Sequence, residues 1–137
     1  MSNPNSYEGA DPPALDALQR GVLAKVVMKL LDLWMLGCED QAALLGIAPG
    51  NRDVLDRHRQ GEPIGASSEQ FERALLLLEI HDSLQILLAS NGKLAGRWMT
   101  SGNRAFDNRT PLEVIKAQGT EGLSMVRSYL ERARGAS

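Results

Sequence analysis

Apolar residues recur along this chain at helical spacing, in runs punctuated by glycine and proline. Nowhere do several β-branched residues alternate with polar ones, so strands have no foothold. Asp11 followed by Pro12 and Pro13 reads as a helix entry. Leu15, Leu18, Val22, Val26, Met28, Leu30, Leu31 and Leu33 then supply a broad apolar surface up to Gly37, with Gly21 a candidate break. A short helix follows from about Glu39 to Leu45 and stops at Gly46; a third begins near Pro49-Gly50 and ends before Gly61. Ser67 and Gln70 have the spacing of a capping box for a long fourth helix, about Ser68 to Ala89, closed by Asn91-Gly92. A short helix ending in Trp98-Met99 leads into a polar loop.

The clearest local signal comes next, in Thr110-Pro111-Leu112-Glu113. Threonine caps, proline suits the first helical position, and a glutamate three residues on can reach back to the threonine amide. Gly119 suits a left-handed stop and Thr120 can cap a last helix, in which Leu123, Val126 and Leu130 recur at helical spacing. The pattern predicts an all-α protein of about seven helices. Residues 1–13 read as a disordered N-terminal arm, 14–66 as a helix-turn-helix domain, 67–92 as a long connecting helix, and 93–137 as a small helical unit.

Composition narrows the setting. At 137 residues and 43% apolar, the chain can build one compact domain or two small packed units. With 15 basic and 17 acidic side chains, net −2, no overall basic field marks it for nucleic acid. The lone Cys38 excludes an internal disulfide and fits a reducing compartment. The longest apolar run, Ala74 to Leu78, is far too short to span a bilayer, and the N-terminus lacks the basic-then-apolar order of a secretory signal. A soluble cytoplasmic protein is expected.

Residues 41–59 have the rhythm of a helix-turn-helix. Gln41 to Leu45 put small and apolar residues where a first helix must pack closely, Gly46 allows the turn, and Ile47 plugs the junction. The next helix buries Val54 and Leu55 and leaves Asn51, Arg52, Arg57, His58 and Arg59 available outward. In such a motif the second helix enters the major groove. Arg52 can read a guanine and Asn51 an adenine through bidentate hydrogen bonds, while Arg57 and Arg59 are better placed for phosphates. Against this stands the charge: residues 1–90 carry a net −6 and residues 91–137 a net +4. Phosphate neutralisation normally supplies much of the affinity, so binding by one chain should be weak and steeply salt-dependent. The other reading is a helix pair that only packs and dimerises.

Catalysis finds no footing. His58 and His81 sit on different predicted helices with no metal-ligand spacing, so no metal site is expected. His81 follows an apolar run and reads as a partly buried helix residue. Cys38 is flanked by Glu39 and Asp40, which disfavour a thiolate. No glycine-rich phosphate loop follows a strand, and neither enzyme activity nor a cofactor is expected.

In the last third, large aromatics dominate small cores, which suits Trp98 and Met99. Phe106 stands in a polar loop, where a lone aromatic either tucks under the loop or anchors a partner. Arg127, Arg132 and Arg134 form either a solvated helix face or, beside Tyr129, a surface for a cleft that holds a dinucleotide or acidic side chains.

The pattern Trp98…Asn103…Phe106…Thr110-Pro111-Leu112…Gly119…Leu123…Val126-Arg127…Tyr129-Leu130 resembles the toxin-binding domain of Xre/MbcA/ParS-type antitoxins. The stretch LLDLWMLGCEDQAALLGIAPGNRDVLDRHRQGEPI resembles their helix-turn-helix. Cys38 stands there where a threonine or serine often opens the second helix, and His58 where a tryptophan is usual. FERALLLLEIHDSLQILLASNGKLAGRWM resembles the connecting helix and the start of the toxin-binding domain, so the likeness covers about residues 22–135.

The resemblance implies the antitoxin of a type II toxin–antitoxin system, paired with a RES-domain toxin that consumes NAD. It implies blockage of the toxin's active-site cleft, partly by the C-terminal segment, and autorepression at operator DNA. Met99, Phe106, Leu112, Arg127, Tyr129, Arg132 and Arg134 are the toxin contacts it suggests. The alternatives are a stand-alone helix-turn-helix regulator whose C-terminal helices mediate oligomerisation, and an adaptor without a DNA role. Since helix-turn-helix proteins commonly dimerise, a homodimer is expected.

Overall fold

The first helix, α1 (Ala17–Leu33), is opened by Asp16, whose carboxylate accepts from the Gln19 amide at 2.8 Å while the Gln19 side chain accepts from the Asp16 amide. The computed structural model describes residues 16–89 and 91–135. The expected N-terminal arm, the Asp11-Pro12-Pro13 entry and Leu15 lie outside the described residues. After α1 come α2 (Cys38–Leu45), α3 (Arg52–Arg59), α4 (Ser68–Leu87), α5 (Gly92–Met99), a 3-10 turn (Arg104–Phe106), α6 (Pro111–Gln118) and α7 (Thr120–Gly135). Among the described residues the only β pairing is an isolated bridge between Asn103 and Arg109.

Gly21 does not break α1. It is buried where α1 crosses the end of the helix-turn-helix, and a Cβ there would stand 2.7 Å from the Gly61 carbonyl oxygen. Helical twist also divides the expected apolar surface of α1. Ala24, Val27, Met28, Leu30 and Leu31 enter the core, whereas Leu18, Val22, Val26 and Leu33 face outward.

Two local signals play different roles from those expected. Asn91-Gly92 does not close α4, which ends at Leu87 with Ala89 in a left-handed conformation; Asn91 instead caps α5 by accepting from the amides of Lys93 and Leu94. Ser67 does accept from the Gln70 amide, but the Gln70 side chain turns to the Gly65 amide, so only half of the expected box forms. The Thr110–Glu113 box is complete, with bonds of 2.8 and 3.0 Å. Thr120 is the first residue of α7; its hydroxyl donates to Glu69, while the Gly119 carbonyl accepts the Leu123 amide.

The α4–α7 pair is the most extensive helix contact, and α6 packs along α7. One buried cation locks α4 onto the helix-turn-helix and lies against Gly119 of the second half. Arg73 on α4 is 8% exposed; it donates to the Ala43 and Leu44 carbonyls at the end of α2 and pairs with Glu69 at 3.0 Å. Its guanidinium fits because position 119 is glycine, where a Cβ would lie 3.0 Å from Arg73 Nη2. Lys116 on α6 adds an ion pair to Asp40 on α2 at 2.5 Å.

Candidate functional site

The helix-turn-helix presents a groove of about 260 Å³ between the starts of α2 and α3, lined by Cys38, Ala42, Gly50, Asn51, Arg52 and neighbours. Cys38 is the first residue of α2 and Gly37 its N-cap, so no side chain caps this helix. Gly46 takes the left-handed turn at φ 70°, and Ile47 packs half-buried against the core. Asn51 is the exposed N-cap of α3 and donates to the Ala48 carbonyl at 3.2 Å. Arg52 is exposed, with no acidic partner among the described residues.

The other three outward candidates are committed within the protein. His58 is buried, at 5% exposure, with Nδ1 2.9 Å from the Glu62 carbonyl oxygen, so it supports the loop after α3 and offers nothing to a ligand. A short helix places its sixth or seventh residue on either face, and no local pattern around His58 marks it as inward. Arg59 forms a two-bond fork on Asp32 at 3.0 Å, pairs with Asp56 at 2.6 Å and donates to Gln41. The Arg59 hydrogen bond holds the Asp32 carboxyl below its ordinary value against the opposing effect of burial, and Arg59 is raised in return. Arg57 pairs with Glu62 at 3.1 Å and Asp53 at 3.6 Å. Asp32 lies 27 positions before Arg59, so no local pattern announced this capture.

At the other end of the molecule, Phe106 tucks under its loop at 6% exposure, which decides between its two readings. The loop closes over it: Asn103 accepts from the Ala105 amide, and Asp107 and Asn108 both take positive φ. Tyr129 stacks on Trp98 at 6.2 Å and meets Phe106 edge-on at 5.4 Å. Met99 is fully buried and Leu112 is 7% exposed, so both serve the core and neither offers a free contact surface. Arg127 is engaged by Glu79 at 3.5 Å and Glu131 at 3.8 Å, and Arg134 donates to the buried Ser83 hydroxyl.

What remains open is a groove of about 340 Å³ along α7. Phe106 and Tyr129 form its apolar end, Ser124, Met125 and Ser128 its floor, and Arg132 and Glu121 its charged margins. Ser124, Ser128 and Arg132 are spaced by four, so helical periodicity could have assigned the two serines and the arginine to one face.

A sequence model of the antitoxin Xre/MbcA/ParS C-terminal toxin-binding domain matches residues 83–135. A second, of the antitoxin Xre-like helix-turn-helix domain, matches residues 13–79. The chain belongs to the Xre/MbcA/ParS antitoxins. The antitoxin is also 28% identical over 134 residues to the uncharacterized protein y4oB of Sinorhizobium fredii (strain NBRC 101917 / NGR234), across 98% of this chain and 94% of the relative. The two matched regions meet inside α4, so one continuous helix carries the DNA-binding half into the toxin-binding half. Among the described residues of the antitoxin, no helix is long and apolar enough to cross a membrane.

Proposed function

We propose that this antitoxin neutralises a RES-type, NAD-consuming toxin in the cytoplasm and represses its own operon through the helix-turn-helix. The α7 groove carries the reading. It joins an aromatic end to an exposed arginine on the half of the chain with net charge +4. A few aromatic and arginine anchors in a partly desolvated groove can supply most of an interface's energy. An enzyme that takes an anionic dinucleotide must keep a cleft open, and the end of α7 with its following residues can fill it without substrate chemistry. Tyr129 and Arg132 are the contacts offered to the toxin, with Phe106 supporting the Tyr129 ring edge-on from within the core. The antitoxin itself acts as a non-catalytic binding protein. Co-expression with the protein encoded beside it, followed by size-exclusion chromatography and a cellular NAD assay, tests the reading; a stable complex with depleted NAD overturns cleft blockage.

For the operator, Asn51 and Arg52 are the base readers. Arg52→Ala is expected to cost about 1–3 kcal/mol of operator affinity and to relax sequence preference, measured by anisotropy on matched and mismatched duplexes. Equal weakening on every sequence would reassign Arg52 to phosphate contact.

The active species is a homodimer in this reading. Leu18, Val22, Val26 and Leu33 share one side of α1 and stay exposed by 46–77%, a patch that a second copy would cover. Light scattering at micromolar concentration should give twice the 14.9 kDa chain mass; the mass of one chain would refute the dimer.

A further inference from the structure

The charge arithmetic of the helix-turn-helix leaves a deficit. Arg57 and Arg59 are each bound to two acids, and Glu39 and Asp40 occupy the first turn of α2, where an incoming phosphate would be repelled. Lys116 offsets Asp40, but Glu39 is exposed and has no basic partner among the described residues. Affinity for a polyanion therefore needs cations from outside the α2–α3 unit.

Helix α5 holds two. Lys93 and Arg97 are one turn apart, both exposed, and neither has an acidic partner among the described residues. They line a cleft of about 320 Å³ with Trp34, Met35, Gly96 and Thr100. The position is fixed tightly, because a Cβ on Gly96 would lie 2.3 Å from the Trp34 carbonyl oxygen, which means α5 rests on the backbone at the end of α1. Met35, at φ 62°, then turns the chain toward α2, whose N-cap Gly37 is two residues on. Two residues span at most about 7.2 Å, so the cationic face stands next to the α1–α2 corner. In a helix-turn-helix the first helix of the motif crosses the DNA backbone, and helix N-termini take phosphate contacts.

We propose that Lys93 and Arg97 bind DNA phosphates flanking the helix-turn-helix contact, so that the first helix of the toxin-binding half completes the DNA interface. This rests on the DNA-binding reading and adds a second, sequence-independent contact to it. Arg52 and Asn51 read bases, while α5 supplies the electrostatic attraction that the acidic N-terminal half lacks.

The test uses the full-length antitoxin and anisotropy titrations over a range of salt concentrations. One duplex comes from the region upstream of its gene; the other has an unrelated sequence. Lys93→Gln with Arg97→Gln should weaken both duplexes by the same factor. It should also flatten the slope of log K against log salt by about 1.8 per protomer, at about 0.9 per phosphate contact. Arg104→Gln with Arg109→Gln removes the same charge from the exposed loop before α6 and should leave the slope unchanged. An unchanged slope in the α5 variant, while Arg52→Ala still weakens binding, overturns the α5 contact alone. Loss of toxin binding in the α5 variant with DNA binding intact also overturns it and assigns the pair to an acidic protein surface. A wild-type protein that binds neither duplex at low salt overturns the DNA reading as a whole.

Discussion

Ser128→Arg should leave the antitoxin folded and unable to protect cells from its toxin. Ser128 is half-buried on the floor of the α7 groove, beside Ser124 and Met125 and next to the aromatic end. An arginine there fills the space a partner side chain would occupy and brings a second cation beside Arg132. Its long side chain can still reach water from the open side, so the core beneath is not disturbed. Loss of a central anchor costs at least about 2 kcal/mol, or roughly 30-fold in affinity. The checks are calorimetric titration with the purified partner and survival under toxin induction, with a thermal melt as folding control. Retained protection by a folded Ser128→Arg protein would remove the groove from the interface. The substitution is cleaner than deleting residues 128–137, which would also remove the fully buried Leu130 and the Tyr129 stack.

The largest effect on stability should come from a single methyl group. Gly96→Ala puts a Cβ 2.3 Å from the Trp34 carbonyl oxygen and 3.0 Å from its carbon, and Gly122→Ala puts one 2.6 Å from the Val114 carbonyl oxygen and 2.8 Å from the Ile115 Cα. All of these are backbone atoms, so no side chain can turn aside; a whole helix must shift. Alanine gains about 1 kcal/mol of helix propensity over glycine, but overpacking of this kind costs about 3 kcal/mol. For a chain of this size a net loss of about 2 kcal/mol corresponds to roughly 8 °C in melting temperature. Gly135→Ala, where a Cβ meets nothing, serves as control and should change stability by less than about 0.5 kcal/mol. Unchanged melting of Gly96→Ala would mean that α5 is not seated on α1.

What the sequence disclosed divides by distance along the chain. The Thr110–Glu113 box and the Gly46 turn were legible because their partners lie within a few residues. All-α architecture followed for the same reason, since helical periodicity is a local property. Asn91-Gly92 misled because asparagine suits both a helix stop and a helix start, and only the geometry of Ala89 decides between them. Gly21 looked like a break, although its absent side chain serves a crossing with Gly61 forty positions away. The candidate site suffered most from this limit. Arg59 was free on paper but bound to Asp32, and Phe106 was settled by Tyr129, 23 positions later. His58 showed no sign of its burial, because an eight-residue helix with few apolar positions does not define an inner face.

The Arg73 rivet bears on how such antitoxins can diversify. Recombination that joined the first half of this chain to the second half of a relative would also inherit the guanidinium, already bound to two carbonyls at the end of α2. The incoming half would then have to provide a residue able to take φ 62° at position 119 and to leave room for Arg73, which in practice means glycine. It would need a cation for Asp40 as well, in the place of Lys116. In this chain the two halves are thus not freely exchangeable cassettes. New toxin specificities should arise by point changes along the outer face of α7, where nothing is shared with the other half, rather than by shuffling of whole domains.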